Sequence, residues 1–557
     1  MVLGLLIFCL YLPARSQNTY VRNHSLTSGL MERYDIKAGN FRNGFFADLR
    51  PFNRAAIEPM LLKMDSLQTA TGKYDWHNRN YLSREQFPSA TTTVAKSKRP
   101  IFKTFYRSPS NFFEVNHDQF KLIINPGFNF QVGYSSLSEG RAFINTRALE
   151  VRGQINKVLG FYSFISENQE VPLDLQRKYA EKYRAYPGIH HFKSFKTDGI
   201  DYFNASGYFT LHVIPAISVM FGHSRNFIGF GQRSLFLSDF ATDYLFLKFN
   251  TKIWIFNYQN IFAQLVDKAG PVNTGPWPKK YMALHYLSIN LTKKLNIGLV
   301  ESITFHDNKN SGRGFDLNYL NPVIFYRAVE HYVGDPDKVM VGLNIGYQPF
   351  RNIRTYGQLM INEFRLNDLR EGNGHYGNKF GYQLGLKYID VAGISNFDFG
   401  VEYNQVRPYS YTHYTISGTY PVNSYTHYNQ HLAHPLGANF KELLLNLKAR
   451  PVHFLFSEIS LMYAQYGDDA NGSNWGYNIL LDYTTNEREF GNYTGQGIKT
   501  ELMNIQFLNS IMLRHNLFVD IDLKYRKLIS EIETRSTEDL YISAGLRLNL
   551  GKRKWEY

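Results

Sequence analysis

The stretch Leu540-Tyr-Ile-Ser-Ala-Gly-Leu-Arg-Leu-Asn-Leu550 decides the fold. Leu540, Ile542, Ala544, Leu546, Leu548 and Leu550 share one side of an extended chain; Tyr541, Ser543, Gly545, Arg547 and Asn549 share the other. Successive side chains of a strand point to opposite faces, so this is a two-sided strand. It is long for a soluble strand and matches the ~9–11 residues of a tilted membrane strand. The preceding run repeats the pattern. Leu517, Val519, Ile521, Leu523 and Tyr525 alternate with Phe518, Asp520, Asp522, Lys524 and Arg526. Four charges on one face and only apolar or aromatic residues on the other require water inside and lipid or core outside. Asp520 and Asp522 are then expected to pair with Lys524, Arg526 and Arg547 across a polar lumen.

Working outward, pairs of such runs are joined by short turns and separated by longer polar loops. Short turns read near Asn156-Lys157, Pro215-Ala216, Asn250-Thr251, Thr292-Lys293-Lys294, Phe350-Arg351-Asn352, Ala392-Gly393, Pro451-Val452 and Arg514-His515-Asn516. These eight turns, an opening strand near Phe120–Tyr134 and the closing strand make eighteen strands. The number is even and both ends fall on the short-turn side, as in outer-membrane barrels. The expected fold is all-β: a transmembrane antiparallel β-barrel of about 18 strands over residues 118–557, behind a small N-terminal mixed or helical segment. That segment, residues 17–117, reads as a periplasmic or plug element. Within it Ala55–Leu67 has helical apolar spacing at Ile57, Met60, Leu61, Met64 and Leu67. A second helix is expected over Pro172–Tyr186, on an outer loop. The largest outer loops fall at 167–200, 306–337, 406–438 and 466–498.

Composition supports this reading. The 557 residues are 19% charged, below the ~25% of soluble domains. Aromatics reach 16%, with 40 Tyr and 43 Phe, which excludes a disordered chain. Beyond the extreme N-terminus there is no run of ~18 apolar residues, so ordinary helical spans are excluded. Val2–Leu12 is a short apolar run followed by Ala14-Arg15-Ser16, a secretory signal peptide over residues 1–16, although no basic residue precedes it. Cys9, the single cysteine, leaves with it, so disulfides, thiolate metal sites and cysteine nucleophiles are excluded from the mature chain. A net charge of +14, one less after loss of Arg15, points to anionic partners: lipopolysaccharide, acidic glycans or phospholipid headgroups. Export makes nucleic acid an unsuitable partner. Lys157, Lys293, Lys294, Arg351, Arg450 and Arg514 mark the short turns, where they suit inner-leaflet headgroups or simply solvent.

The candidate motifs are weak as chemistry. Tyr411-Thr-His-Tyr414 recurs as Tyr425-Thr-His-Tyr428, and His431 and His434 follow. Histidines at this density can bind metal, but no carboxylate is interleaved, and hydrogen-bonded loop packing is the commoner outcome. Gly229-Phe-Gly-Gln-Arg-Ser234 lacks the third glycine and the strand–helix setting of a phosphate loop. Ser234, Asp239 and His223 lack a nucleophile elbow. No catalytic residue, metal or cofactor is assigned, and the chain reads as a non-enzyme.

Several longer stretches carry a resemblance. Tyr319-Leu-Asn-Pro-Val-Ile-Phe-Tyr-Arg-Ala-Val-Glu330, Glu402-Tyr-Asn-Gln-Val-Arg-Pro-Tyr409, Tyr428-Asn-Gln-His-Leu-Ala-His-Pro-Leu-Gly-Ala-Asn439 and the Gly467–Gly476 loop resemble the Wzi-like capsule-assembly outer-membrane proteins of Bacteroidetes. The match is nearest to the gliding-motility RemB type and runs from about residue 120 onward. It implies an eighteen-stranded barrel that binds or organises surface (capsular) polysaccharide and supports cell-surface assembly or gliding. The alternatives are a diffusion channel or a scaffold for secretion or gliding proteins. Aromatic rings with a polar edge and guanidinium groups suit glycan contact. The outer-loop candidates are Arg313, Tyr326, Arg327, Arg407, Tyr409, Tyr411, His413, Tyr425, His427 and Trp475.

Overall fold

The computed structural model describes residues 19–66, 72–87, 97, 100–138, 141–156, 158–268, 277–306, 315–322, 325–326, 337–415, 420–470 and 472–553. The signal-peptide reading and the candidates Arg313 and Arg327 lie outside the described residues.

Eighteen long antiparallel strands close into a barrel among these residues. They are β1 Phe120–Ser135, β2 Arg141–Ile155, β3 Leu159–Glu170, β4 Gly199–Ile214, β5 Ile217–Ser224 and β6 Tyr244–Ile253. Then come β7 Phe256–Val266, β8 Lys279–Ile289, β9 Leu295–His306, β10 Lys338–Phe350, β11 Ile353–Glu363 and β12 Lys379–Tyr388. The last six are β13 Phe397–Val406, β14 Phe440–Val452, β15 Leu455–Asp468, β16 Ile498–Arg514, β17 Leu517–Ser530 and β18 Thr537–Leu548. Each pairs with its sequence neighbour. β18 returns to β1 in the register Tyr541↔Ser135 to Leu548↔Phe128. Closure leaves no unpaired sheet edge in the hydrocarbon layer, where an unbonded amide has no water to turn to. The protein is an integral outer-membrane barrel.

Alternation holds around the wall. Leu540, Ile542, Ile521, Leu523, Phe130, Val132 and Tyr134 are exposed on the outer face. On the inner face Arg547 forks onto Asp520, at 2.6 and 3.0 Å, and Lys524 meets Asp522 at 3.0 Å. Two turns move. β6 runs past Asn250-Thr251 to Ile253, and Trp254-Ile255 makes the turn because Asn250 still pairs across to Gln259. β14 runs through Pro451-Val452 and turns at His453-Phe454.

Among the described residues three α-helices precede the wall: α1 Leu26–Ala38, α2 Ile57–Ser66 and α3 Asp75–Arg84. α2 lies within the apolar-spaced Ala55–Leu67 stretch. α1 and α3 carry no such clean spacing: α1 buries Leu30, Met31, Tyr34 and Ile36 together with the charged Arg33, Asp35 and Lys37. Its Arg33 reaches Asp398 at 3.0 Å, Asp75 at 3.5 Å and Asp390. Lys37 reaches Asp75 at 2.7 Å and Asp390 at 2.8 Å. Asp35 accepts from Arg354 at 2.9 Å. Residues from this segment touch the short turns around the mouth. The Phe41 amide donates to Lys293 O, Tyr74 Oη to Pro451 O and Asn78 Nδ2 to Asn396 Oδ1. The Glu85 carboxylate meets His515 at 2.9 Å.

The lumen is filled from both ends. From the short-turn side the chain rises to Leu49–Arg50. From the long-loop side the β5–β6 connection, residues 225–243, descends to Phe227–Ile228. The two pair antiparallel inside the barrel, Leu49↔Ile228 and Arg50↔Phe227. The connection then crosses to the far wall. The Gln232 and Arg233 amides donate to Glu402 at 2.6 and 3.0 Å. Arg233 NH2 pairs with Glu442 at 2.9 Å, and the Leu235 amide donates to Gln358 at 2.8 Å. Leu235, Phe236 and Leu237 are fully buried. β10 makes room with glycine: a Cβ on Gly346 would stand 2.5 Å from the Phe230 ring.

Removing one member of a buried ion cluster leaves the others unpaired, at a cost of about 3–5 kcal/mol. Arg33→Ala is therefore expected to release the N-terminal helices from the mouth while the wall persists. Limited proteolysis of the detergent-solubilised protein should cut within residues 19–110, and heat-modifiable gel migration should be retained.

Candidate functional site

The loop at 406–438, the richest in sequence candidates, folds inward and packs. The doubled Tyr-Thr-His-Tyr explains itself: the Tyr425 amide donates to Tyr411 O at 3.0 Å, and the two rings stack with centroids 6.1 Å apart. Tyr411 Oη donates to Leu235 O of the lumen-crossing segment, and Tyr409 Oη to Asn474 O, both at 2.8 Å. Tyr425 Oη contacts Met282 Sδ at 3.4 Å. His427 Nδ1 accepts from the Val266 amide at 3.0 Å while Nε2 faces Asp243 O. His413 Nδ1 lies 2.9 Å from Tyr414 O, and His431 Nδ1 2.8 Å from Pro435 O. His434 Nε2 lies 2.8 Å from Glu442. The four histidines thus serve separate partners. Among the described residues no three His, Cys, Asp or Glu side chains converge as metal ligands.

Tyr326 is buried as well, its Oη 2.5 Å from His285 Nε2. Arg407 is half-buried and donates to the carbonyls of Asn378 and Asn492. Trp475 is half-buried beneath Arg488. Of the candidates for glycan contact, Tyr326, Tyr409, Tyr411, His413, Tyr425 and His427 are buried. They pack the interior of their loops, where each polar atom needs an internal partner.

The open concavity of the outer mouth lies beside this loop. It is walled by helix α4 Asp174–Tyr183, by residues 468–485 and by the inner faces of β15 to β18, and encloses about 870 Å³. α4 forms because Leu173 N donates to Gln176 Oε1 at 2.8 Å and Asp174 sits in the first turn, against the positive helix end. Tyr179 and Tyr183, four apart, then share one helix face, their rings 4.6 Å apart. Tyr466 and Tyr477 stack opposite, also at 4.6 Å. Lys182 Nζ stands 4.3 Å over the Tyr477 ring and pairs with Asp468, which also holds Arg535 at 3.1 Å. Asp469 takes the Trp475 and Asn478 amides at 2.6 and 2.8 Å and so folds the wall of the cavity; burial raises its pKa above the ordinary carboxylate value. Tyr183 lines the cavity with its residue body, while its Oη is buried away from solvent with no hydrogen-bond partner among the described residues. Burial holds its pKa well above the phenolic value, so it stays a donor.

Of these groups the sequence reading reached only the surroundings: the helix on the 167–200 loop and the Gly467–Gly476 loop. The legible signal was Tyr179 and Tyr183 at i, i+4 on a helix whose other faces are charged. Chemically, paired rings and paired charges suit a polyhydroxylated ligand with apolar ring faces.

The buried loop histidines set a pH dependence. Burial pushes the pKa of His413 down to about 3 and of His431 down to about 4, and lowers that of His427. In the unfolded loop they titrate near pH 6.5. Below that value the unfolded form binds more protons, so packing stability falls as the pH drops from 6.5 toward 4. Proteolytic cleavage within 406–439 should rise over that interval and be suppressed again on return to pH 7, with the barrel intact throughout.

A scan against protein-family models and a search of curated proteins each found no match. Among solved structures the fold is similar to Wzi of Escherichia coli. That outer-membrane protein is involved in group 1 capsule assembly and is described as a carbohydrate-binding β-barrel. The TM-score is 0.56 at 12% identity, over 96% of this chain and 99% of that one. OprD of Pseudomonas aeruginosa aligns with a TM-score of 0.42 at 10% identity, over 77% of this chain and 96% of that one. At these identities the likeness is one of fold: a closed eighteen-stranded outer-membrane barrel.

Proposed function

We propose that this protein is a non-enzymatic outer-membrane barrel that binds surface polysaccharide in the cavity between α4 and residues 468–485. The observation that carries the reading is the cavity itself. Two tyrosine pairs line it, and Lys182, Asp468 and Arg535 set paired charges along its rim. Sites of about 300–1,000 Å³ with a few placed polar groups hold small ligands or single units of a polymer. The structural likeness to a carbohydrate-binding barrel supports the same ligand class. A role in holding capsule-type glycan at the cell surface follows from this binding, and a contribution to gliding would act through the same glycan.

A diffusion channel is the weaker reading. The Leu49–Arg50 and Phe227–Ile228 pairing, and the crossing of residues 229–238 to the far wall, occupy the path a solute would take.

Tyr477→Ala and Arg535→Ala remove a ring and a charge that line the cavity. Each is expected to weaken binding of purified surface polysaccharide to the reconstituted barrel about tenfold, near 1.4 kcal/mol. In cells, the variants should shift glycan from the cell-bound to the shed fraction at constant total synthesis. Unchanged binding in folded, heat-modifiable variants would remove the cavity from consideration.

A further inference from the structure

Just ahead of the first strand, the chain makes a feature that neither the barrel nor the outer mouth uses. Residues 100–107 form a tight hairpin, and Ser97 joins its base. Ser97 N donates to Arg107 O at 2.8 Å, and Ile101 and Phe105 exchange both backbone hydrogen bonds at 2.9 Å. At its tip Phe102 and Lys103 take left-handed φ values of 50° and 56°. Such values are uncommon for residues with side chains and persist where the surroundings impose them. The tip carries the most exposed apolar side chain in the described structure: Phe102 is 86% accessible, with Ile101 beside it at 51%.

The position of the hairpin is fixed by a short strand, Phe113–Asn116, which extends the wall beyond the end of β18 by pairing with β1. Phe113 lies opposite Ile124 and Val115 opposite Leu122. Residues directly opposite share a face, and this is the even-numbered face of β1 that exposes Phe130, Val132 and Tyr134 to lipid. The Phe105 ring stands 6.3 Å from Phe113 and stacks on Phe112 at 4.6 Å. The hairpin therefore lies at the short-turn rim of the wall, touching Phe113 of the lipid-facing parity and Phe112 of the opposite one. A polar clasp holds it there. Ser108 and Asn111 donate to Glu114 at 2.7 and 2.9 Å, and the Phe112 amide donates to Asn125 at 2.8 Å. Exposed Phe120 and Leu513 continue the apolar surface along the same rim. Lys103 and Arg107 flank the tip, both exposed and neither in an ion pair among the described residues. Arg514 lies in the β16–β17 turn at the same end.

We propose that this hairpin is a lipid-docking element: Ile101 and Phe102 insert at the boundary between headgroups and acyl chains of the inner leaflet, and Lys103 and Arg107 bind anionic phospholipid headgroups. Aromatic and apolar tips beside basic groups have the two affinities that such an interface offers. Its place on the rim of a membrane-spanning wall, beside exposed Phe120 and Leu513, selects a bilayer over a soluble partner, and the sign of the flanking charges selects anionic lipid. The reading is independent of what the outer mouth binds.

The test uses the full chain. Cys9 is its single cysteine, so Cys9→Ser with Phe102→Cys takes one environment-sensitive fluorophore at the tip. Cys9→Ser with Glu371→Cys, on an outer loop, gives a water-exposed reference. Both are reconstituted into bilayers of phosphatidylcholine alone or with phosphatidylglycerol, and each must keep heat-modifiable migration. The expected result is blue-shifted emission at position 102, quenched by spin-labelled lipid and more strongly so with phosphatidylglycerol. Adding Lys103→Glu and Arg107→Glu should abolish the phosphatidylglycerol-dependent increase. Water-like emission at 102, matching position 371 in both bilayers, would overturn the docking and leave the tip for a protein partner. Quenching indifferent to phosphatidylglycerol and to charge reversal would overturn the headgroup assignment.

Discussion

A hydrocarbon layer offers the backbone no hydrogen-bond partner, and every other feature of this molecule follows from that. The sheet must close, and eighteen tilted strands enclose a lumen too wide for wall side chains alone to fill. The inner face is polar, because only the outer face meets lipid. Whatever fills the lumen must therefore bring its own charges and amides in matching positions. Glu402 and Glu442 on the wall accept from Gln232, Arg233 and His434 on incoming segments, and Arg354 meets Asp35 of α1.

This division of labour explains why the two ends differ. At the short-turn mouth the filling comes from the N-terminal helices, held by ion clusters around Asp75 and Asp390. Midway, a two-residue antiparallel pairing joins that segment to the β5–β6 connection. At the outer mouth the long loops fold down over the connection, and the tyrosines and histidines of 406–438 are consumed in holding it. Among the described residues the packing stays open to one side, between α4 and the loop that follows β15. There the exposed edges of Lys182, Arg535 and Asp468 remain available around a floor of rings.

Buried charge at this density costs desolvation, and its geometry must repay that in paired hydrogen bonds. Arg233 does so through its amide and its guanidinium on two different glutamates. Such networks have discrete arrangements, so the lumen filling is specific in register. Apolar packing contributes where the crossing segment meets small residues of β10, the Phe230 ring resting on Gly346 and Phe236 near Gly342.

Period-two alternation made the wall legible residue by residue: Leu540 and Ile542 outward, Asp520 and Arg547 inward and paired. Turn spacing made the strand number legible, since one face of every strand had to meet lipid and a slip of one residue would reverse it. Within the N-terminal segment, α2 was legible through its apolar spacing. α1 and α3 were not: α1 buries Leu30, Met31, Tyr34 and Ile36 in among Arg33, Asp35 and Lys37, so charge interrupts its apolar period. The loop candidates were chosen by residue type, and type does not report depth. Tyr409, Tyr411, Tyr425 and His427 are interior because partners such as Leu235, Asn474 and Asp243 come from distant strands and loops. The sequence by itself determined the closed wall, whose pairing is between neighbours in the chain. Only the tertiary structure decided what fills the lumen and which loop stands open beside it, because the contacts that settle it, such as Arg233 with Glu442 and Tyr411 with Leu235, join residues far apart in the chain.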